Sequence, residues 1–348
     1  MPQADAVVSG FGAADTTASV FVGVFGVFEW FLEDFYGAGM DILAKLTGVD
    51  MLGYPYMQRA YLAAVCIAVI GPLVGTFLVH REMSMISDTL AHTAFAGVAV
   101  GLFVNTTFSL SISPLLTALI VAVITALLVE ILVEHAGEYT DSSLAIVLTG
   151  GFAVGSILIT ANDGGIAVGI DAYLFGNLST VSKESVGILA LMNVLVGGLV
   201  AAAYRPLLYV TFDATAARAS RLRVRGYKRL MVVLTAVVVV GAMQIMGVIL
   251  VAGMVVIPVT AASLVASSFR RSVVLAVLVG EFASIAGVTL AYVYGIAAGG
   301  SIVVAAIVVY ASVIIARNMS HTKPTVYSFL RKDDKKEVEG MSADGGDR

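Results

Sequence analysis

The sequence predicts an all-α, polytopic membrane protein with about nine transmembrane helices, and three observations carry that prediction. Hydrophobic residues make up 59% of the 348 positions and charged residues only 13%, with mean hydropathy +0.96; a soluble domain carries about 25% charged residues. No charge falls between Arg229 and Arg270. A single helix of that length would measure about 60 Å, twice the hydrocarbon core, so two spans must lie there. Basic residues gather in 205–229, at Arg270 and Arg271 and beyond Arg317, although the net charge is −4. That is the pattern of membrane topology rather than of nucleic-acid binding.

Residues 1–54 read as an N-terminal extension. Its segment 20–32 is apolar but short, with Glu29, Glu33 and Asp34 in or beside it. An interfacial helix is expected there, an extra span being the alternative. No basic stretch precedes it, so a cleaved signal peptide is not expected. The transmembrane domain covers 55–318, with spans at about 58–80, 88–104, 112–134, 142–161, 184–204, 229–250, 253–268, 272–294 and 300–317. Gly247, Gly253 and Pro258 are placed at the break in the charge-free stretch. From Arg271 to Arg317 Glu281 is the only charge, so the same length argument applies, with a break at 295–300. Alternating spans then bring Arg81, 205–229, Arg270, Arg271 and the C-terminal tail to one side, which the positive-inside rule makes cytoplasmic. Arg59 and Lys183 fall outside, as does the loop 162–173 with Asp163 and Asp171. The tail 319–348 mixes both charge signs with Gly and Ser and is expected to be disordered. The one cysteine, Cys66, sits in an apolar run, which excludes an intrachain disulfide and reads as packing.

Several polar residues stand out against this apolar background. Asp88 and His92 are spaced i, i+4 and share a helical face. A carboxylate with an imidazole suits a divalent transition metal; alternatively, Asp88 caps a helix starting near Thr89 and His92 is a satisfied core residue. Ala91, Ala94, Ala96 and Gly97 beside them allow close helix approach. His80, Arg81 and Glu82 read as a charged interfacial cap, and Glu130, Glu134, His135 and Glu138 as a solvated helix end. Adjacent residues such as Glu134 and His135 point apart on a helix. Glu281, in mid-span, must be protonated, paired or facing water, either packed with a hydroxyl such as Ser284 or used in transport. Gln244 and Asn193 are expected to hydrogen-bond between helices. In 211–222, Asp213 suits the N-cap of a short Ala-rich helix in a basic loop, either a docking surface or an ordinary positive-inside loop. No GxxxxGK[ST], HExxH or GxSxG is present, so the chain lacks a Walker-type ATP site and the parts for intramembrane hydrolysis.

Four separated segments together carry a family resemblance. They are Gly75-Thr76-Phe77-Leu78-Val79 with Arg81 running into Asp88, Ala91-His92 and Gly97; Asp171 before Tyr173-Leu174-Phe175-Gly176; Phe212-Asp213 with Ala217 and Ala219; and Gly247-Val248-Ile249-Leu250-Val251 followed by Ile257-Pro258-Val259-Thr260-Ala261-Ala262. In this order the chain resembles, over roughly 55–317, the zinc/manganese/iron permease family of ATP-binding cassette importers. The resemblance implies a fold similar to the large vitamin B12-type importers and a homodimeric core in the plasma membrane. It also implies separate cytoplasmic ATPase subunits and an extracytoplasmic metal-binding protein. Asp88 and His92 match positions associated with metal passage, the transported zinc, manganese or iron being cargo rather than a resident cofactor. Phe212, Asp213, Ala217, Arg218 and Ala219 match the coupling helix that docks on the ATPase. Three departures are Ala91 where the family usually has Ser, Ala297-Ala298 in place of a Pro-containing turn, and His80 in place of an apolar residue. The rival expectations are a permease for a chelate, haem or cobalamin, and a proton-coupled transporter using Glu281 and Asp88 as relays.

Overall fold

The computed structural model describes residues 36–109, 112–161, 170–177 and 181–321. The segment expected to be interfacial, 20–32, and most of the tail lie outside them. The described residues are helical throughout, with no strand. A short helix α1 (Ala38–Thr47) and a 3-10 turn (Asp50–Gly53) precede the bundle. They are tied to it by Gln58, whose Nε2 donates to Asp41 Oδ1 and to the Leu52 carbonyl, each at 2.9 Å.

The first four long helices follow as α2 (Pro55–Val79), α3 (Met85–Phe108), α4 (Pro114–Ala136) and α5 (Thr140–Thr160). After α6 (Ile170–Phe175) and α7 (Lys183–Ala202) come two short helices, α8 (Tyr204–Phe212) and α9 (Ala214–Ala219). The chain closes with α10 (Val224–Met246), α11 (Val248–Ser263), α12 (Phe269–Tyr294) and α13 (Ala298–His321). Eight of these are long and apolar enough to cross a bilayer. The ninth bundle helix, α11, has 16 residues, about 24 Å at 1.5 Å per residue, shorter than the hydrocarbon core.

The centre of the bundle is α2, α3 and α11. Helix α2 packs on α7, α10, α11 and α12, while α3 packs on α4, α5, α10 and α11. Of their most apolar stretches, 72% of residues are buried in α2 and in α3, against 11% in α5. Small residues make the central contacts possible, since in lipid helices associate through close packing. A methyl group at Gly75 would strike the Val255 carbonyl of α11. Helix α5 lies outermost and leaves Ile146, Val154 and Ile157 uncovered, a surface fit for lipid or another protein.

Three expectations need correction. The break in the charge-free stretch is at Gly247 alone, where φ is +80°; Gly253 and Pro258 lie inside α11. Gly247 packs against Gly176, also at positive φ, and a side chain at either would meet carbonyls of the other segment. Only glycine fits both conformation and space, so two of the resemblance segments form one joint. Helix α10 begins at Val224 rather than 229, taking in Arg225, Lys228 and Arg229. Long basic side chains let a helix extend past the apolar core while their charged ends reach polar partners. Finally, Asp88 lies within the first turn of α3, which starts at Met85, so it is not the N-cap.

Candidate functional site

Asp88 and His92 do share a face of α3. His92 Nε2 is 3.6 Å from Asp88 Oδ1, with the His92 side chain 17% exposed and that of Asp88 42% exposed. That separation is too long for a hydrogen bond. Two ligands each about 2.1 Å from one ion at tetrahedral angles would be about 3.4 Å apart, so the pair is spaced as neighbouring ligands are. The other imidazole nitrogen, Nδ1, is buried without a hydrogen-bond partner. A satisfied core histidine would have one. Among the described residues no group of three or more His, Cys, Asp or Glu could hold a metal ion, so the pair has no such third ligand. Two donors offer a weak, open site rather than a closed structural one.

The pair is held by the α3–α5 contact. The His92 ring meets Phe152 edge-on at 5.4 Å, and Phe95 stacks on Phe152 at 5.3 Å. Thr89 Oγ1 donates to the Met85 carbonyl of its own helix and to the Leu144 carbonyl of α5. Ala91, beside the pair, is fully buried, so the hydroxyl missing there would have faced packed atoms.

Of the acids closing α4, Glu130 is buried rather than solvated, while Glu134 stays exposed as expected of a solvated end. Glu130 is 5% exposed and accepts from Arg229 Nε at 3.1 Å. Glu134 pairs with Arg225 at 2.9 Å. Burial weakens the proton affinity of Arg81, and nearby Glu130 partly restores it, because a carboxylate favours the charged guanidinium. Arg81 stands partly buried in the turn that ends α2, between half-buried His80 and exposed Glu82. His135 turns away, its Nδ1 at 2.7 Å from the Ile131 carbonyl. Beside these pairs, a hollow of about 530 Å³ is lined by Glu134, Arg218, Arg223 and Lys228 among others.

The segment 212–222 forms the expected short helix. Asp213 Oδ1 accepts from the backbone N–H groups of Thr215 and Ala216 at 2.9 and 2.8 Å, the N-cap of α9. Ala217 is fully buried against Val210 of α8 and Val224 of α10, while Arg218 and Ala219 are exposed and Phe212 is 61% exposed. Helix α8 before it has no counterpart among the expected elements. Its signal is modest: Leu207 and Val210, spaced i, i+3, face inward, and Tyr209 and Phe212 outward.

Glu281 lies on α12, half-buried and apart from Asp88 and His92, and no hydrogen bond joins it to Ser284 among the described residues. Asn193 makes the expected interhelical bond, donating to the Cys66 carbonyl of α2 at 2.9 Å. The Gln244 side chain is outside the described residues.

Known proteins are similar to this chain in sequence and fold. The "Manganese transport system membrane protein MntC" of Halalkalibacterium halodurans is 31% identical over 75% of this chain and 87% of its own length. The "Manganese import system permease protein ScaB" of Streptococcus gordonii is 28% identical over 78% of this chain and 96% of its own. Among solved structures, PsaBC from Streptococcus pneumoniae in complex with Fab superposes with TM-score 0.68 at 26% identity, covering 78% of this chain and 95% of that one. The model of the ABC 3 transport family matches residues 53–317. With the apolar bundle, the glycine joint and the capped helix α9 all inside that range, the chain belongs to the ABC 3 transport family.

Proposed function

We propose that this chain is the membrane permease subunit of an ATP-driven importer for a divalent transition-metal ion, with residues 55–318 as the permease domain and the basic end of the bundle in the cytoplasm. The observation that carries this is the Asp88–His92 pair: a carboxylate and an imidazole 3.6 Å apart, unbonded, with a buried nitrogen left unsatisfied. Such a pair admits an ion and releases it, as a pore requires. The chain has no nucleotide-binding loop, so ATP hydrolysis belongs to partner subunits, and α9 with Phe212 is the docking element for them. An extracytoplasmic binding protein delivers the metal at the opposite end. A second copy of the chain completes the pore and supplies further ligands. The names of the relatives make manganese the first metal to test, ahead of zinc and iron.

The test is ATP hydrolysis by the reconstituted complex with its own binding protein, compared across manganese, zinc and iron(II). Stimulation by at least one free metal ion is expected. Stimulation only by a metal chelate, or uptake with no ATPase subunit present, would overturn the proposal.

A further inference from the structure

Phe269 opens α12, next to the N-cap Ser268. Its ring meets four others: Phe77 at 5.0 Å, His80 at 5.2 Å, Phe212 at 5.7 Å and Tyr204 at 6.2 Å. Two more contacts close the cluster, Phe77–Tyr204 at 6.3 Å and His80–Phe212 at 6.0 Å. The interplanar angles run from 51° to 81°, the tilted and edge-on range in which rings attract. The His80 ring is fixed from its other side, Nδ1 lying 2.8 Å from the Thr76 carbonyl.

The cluster joins three places. Phe77 is fully buried in the last turns of α2, and His80 ends that helix. Tyr204 and Phe212 are the first and last residues of α8, and Phe212 directly precedes the N-cap of α9. From His80 the chain reaches α3 through a tight turn, with Arg81, Glu82 and Met83 donating back to the Leu78 and Val79 carbonyls. A shift of that turn is therefore passed to the first turn of α3, which holds Asp88. Helix α9 is seated by Ala217 on Val210 and Val224, and the exposed Phe212 just before its N-cap is held by ring contacts, so a load on α9 also reaches these rings.

We propose that Phe269 is a positioning residue for transport: clamped between His80 and Phe212, it carries the movement of the docking helix to the α2–α3 turn and so to Asp88 and His92. It rests on the docking role proposed for α9. His80, the departure from the family pattern, gives the clamp its outer ring. Closely packed rings pass such a shift on, whereas a flexible aliphatic contact would absorb it.

The experiment uses the full complex in vesicles, comparing the parent with Phe269→Leu and His80→Leu and reading manganese uptake, phosphate release and retention of the ATPase subunit. The expected result is a retained ATPase that still hydrolyses ATP, with manganese moved per ATP down at least about fivefold. Phe269→Tyr and His80→Phe should restore the ratio, because they restore the ring. An unchanged ratio in the Leu variants, including a parallel loss of uptake and hydrolysis, overturns the proposal; so does loss of the ATPase, which would make Phe269 part of the docking surface itself. If Phe269→Leu does not fold, His80→Leu decides alone from the other side of the same contact. Ala217→Glu, which unseats α9, separately tests docking: an ATPase that stays bound to it sinks the docking role and leaves the ring measurement standing.

Discussion

Glu130 on α4 is 5% exposed and takes a hydrogen bond from Arg229 at 3.1 Å, whereas Asp88 on the neighbouring α3 is 42% exposed and keeps its oxygen 3.6 Å from His92. Both are acid–base pairs near the same end of the bundle. The first is closed: each charge has its partner, and Arg81 adds a second cation nearby. The second is open, with one imidazole nitrogen buried and unsatisfied. Leaving a buried polar group such as His92 Nδ1 unmet costs roughly 1–3 kcal/mol, whereas Nε2 and the Asp88 carboxylate stay free to bind together. Closed pairs hold the bundle together; the open pair is the one proposed above for the cargo ion.

The contrast can be broken most sharply at the open pair. Replacing both Asp88 and His92 with Ala is expected to lower metal uptake ten- to hundredfold, with the amount and melting temperature of the purified protein unchanged. Normal uptake at normal protein levels would remove the pair from the transport path. The closed pair should respond the other way. Glu130→Ala leaves Arg229 and Arg81 without their carboxylate and should cost about 1–2 kcal/mol of stability, held below the fully buried range because Arg229 is half-exposed. Thermal melting in detergent measures it, and uptake per folded molecule should stay at the parent level.

Smaller effects sharpen the comparison. Asp213→Ala removes the cap of α9 at a cost of about 1 kcal/mol, read as faster amide exchange over 214–219 and weaker retention of the ATPase. Arg225→Ala breaks a pair whose arginine is 75% exposed, and a melting shift worth at most about 0.5 kcal/mol is expected. A larger loss would mean that the Glu134–Arg225 pair belongs with the closed, structural group.

The membrane helices are legible in the sequence because each apolar run answers to the bilayer on its own. The Asp213 cap is legible too, since its partners are two and three residues away. Helix α8 is not, because nine residues with two inward apolar positions give little periodic signal. The start of α10 is missed for a related reason: Arg225, Lys228 and Arg229 read as loop charges until Glu130 and Glu134 are seen beside them. The Asp88–His92 spacing is visible in the chain, yet it leaves a helix cap and a metal pair open. Helix α3 starting at Met85 removes the cap, and only the packed structure shows that His92 Nδ1 is buried with no protein partner.

The sequence by itself determined the helical bundle and its membrane-length apolar runs, because hydrocarbon imposes length and polarity on every segment separately. Tertiary structure alone decided which polar groups are satisfied. Arg229 and Glu130 are 99 positions apart, and Gly176 meets Gly247 across two helices. Such distances are set by how helices pack on one another, a property no single segment carries.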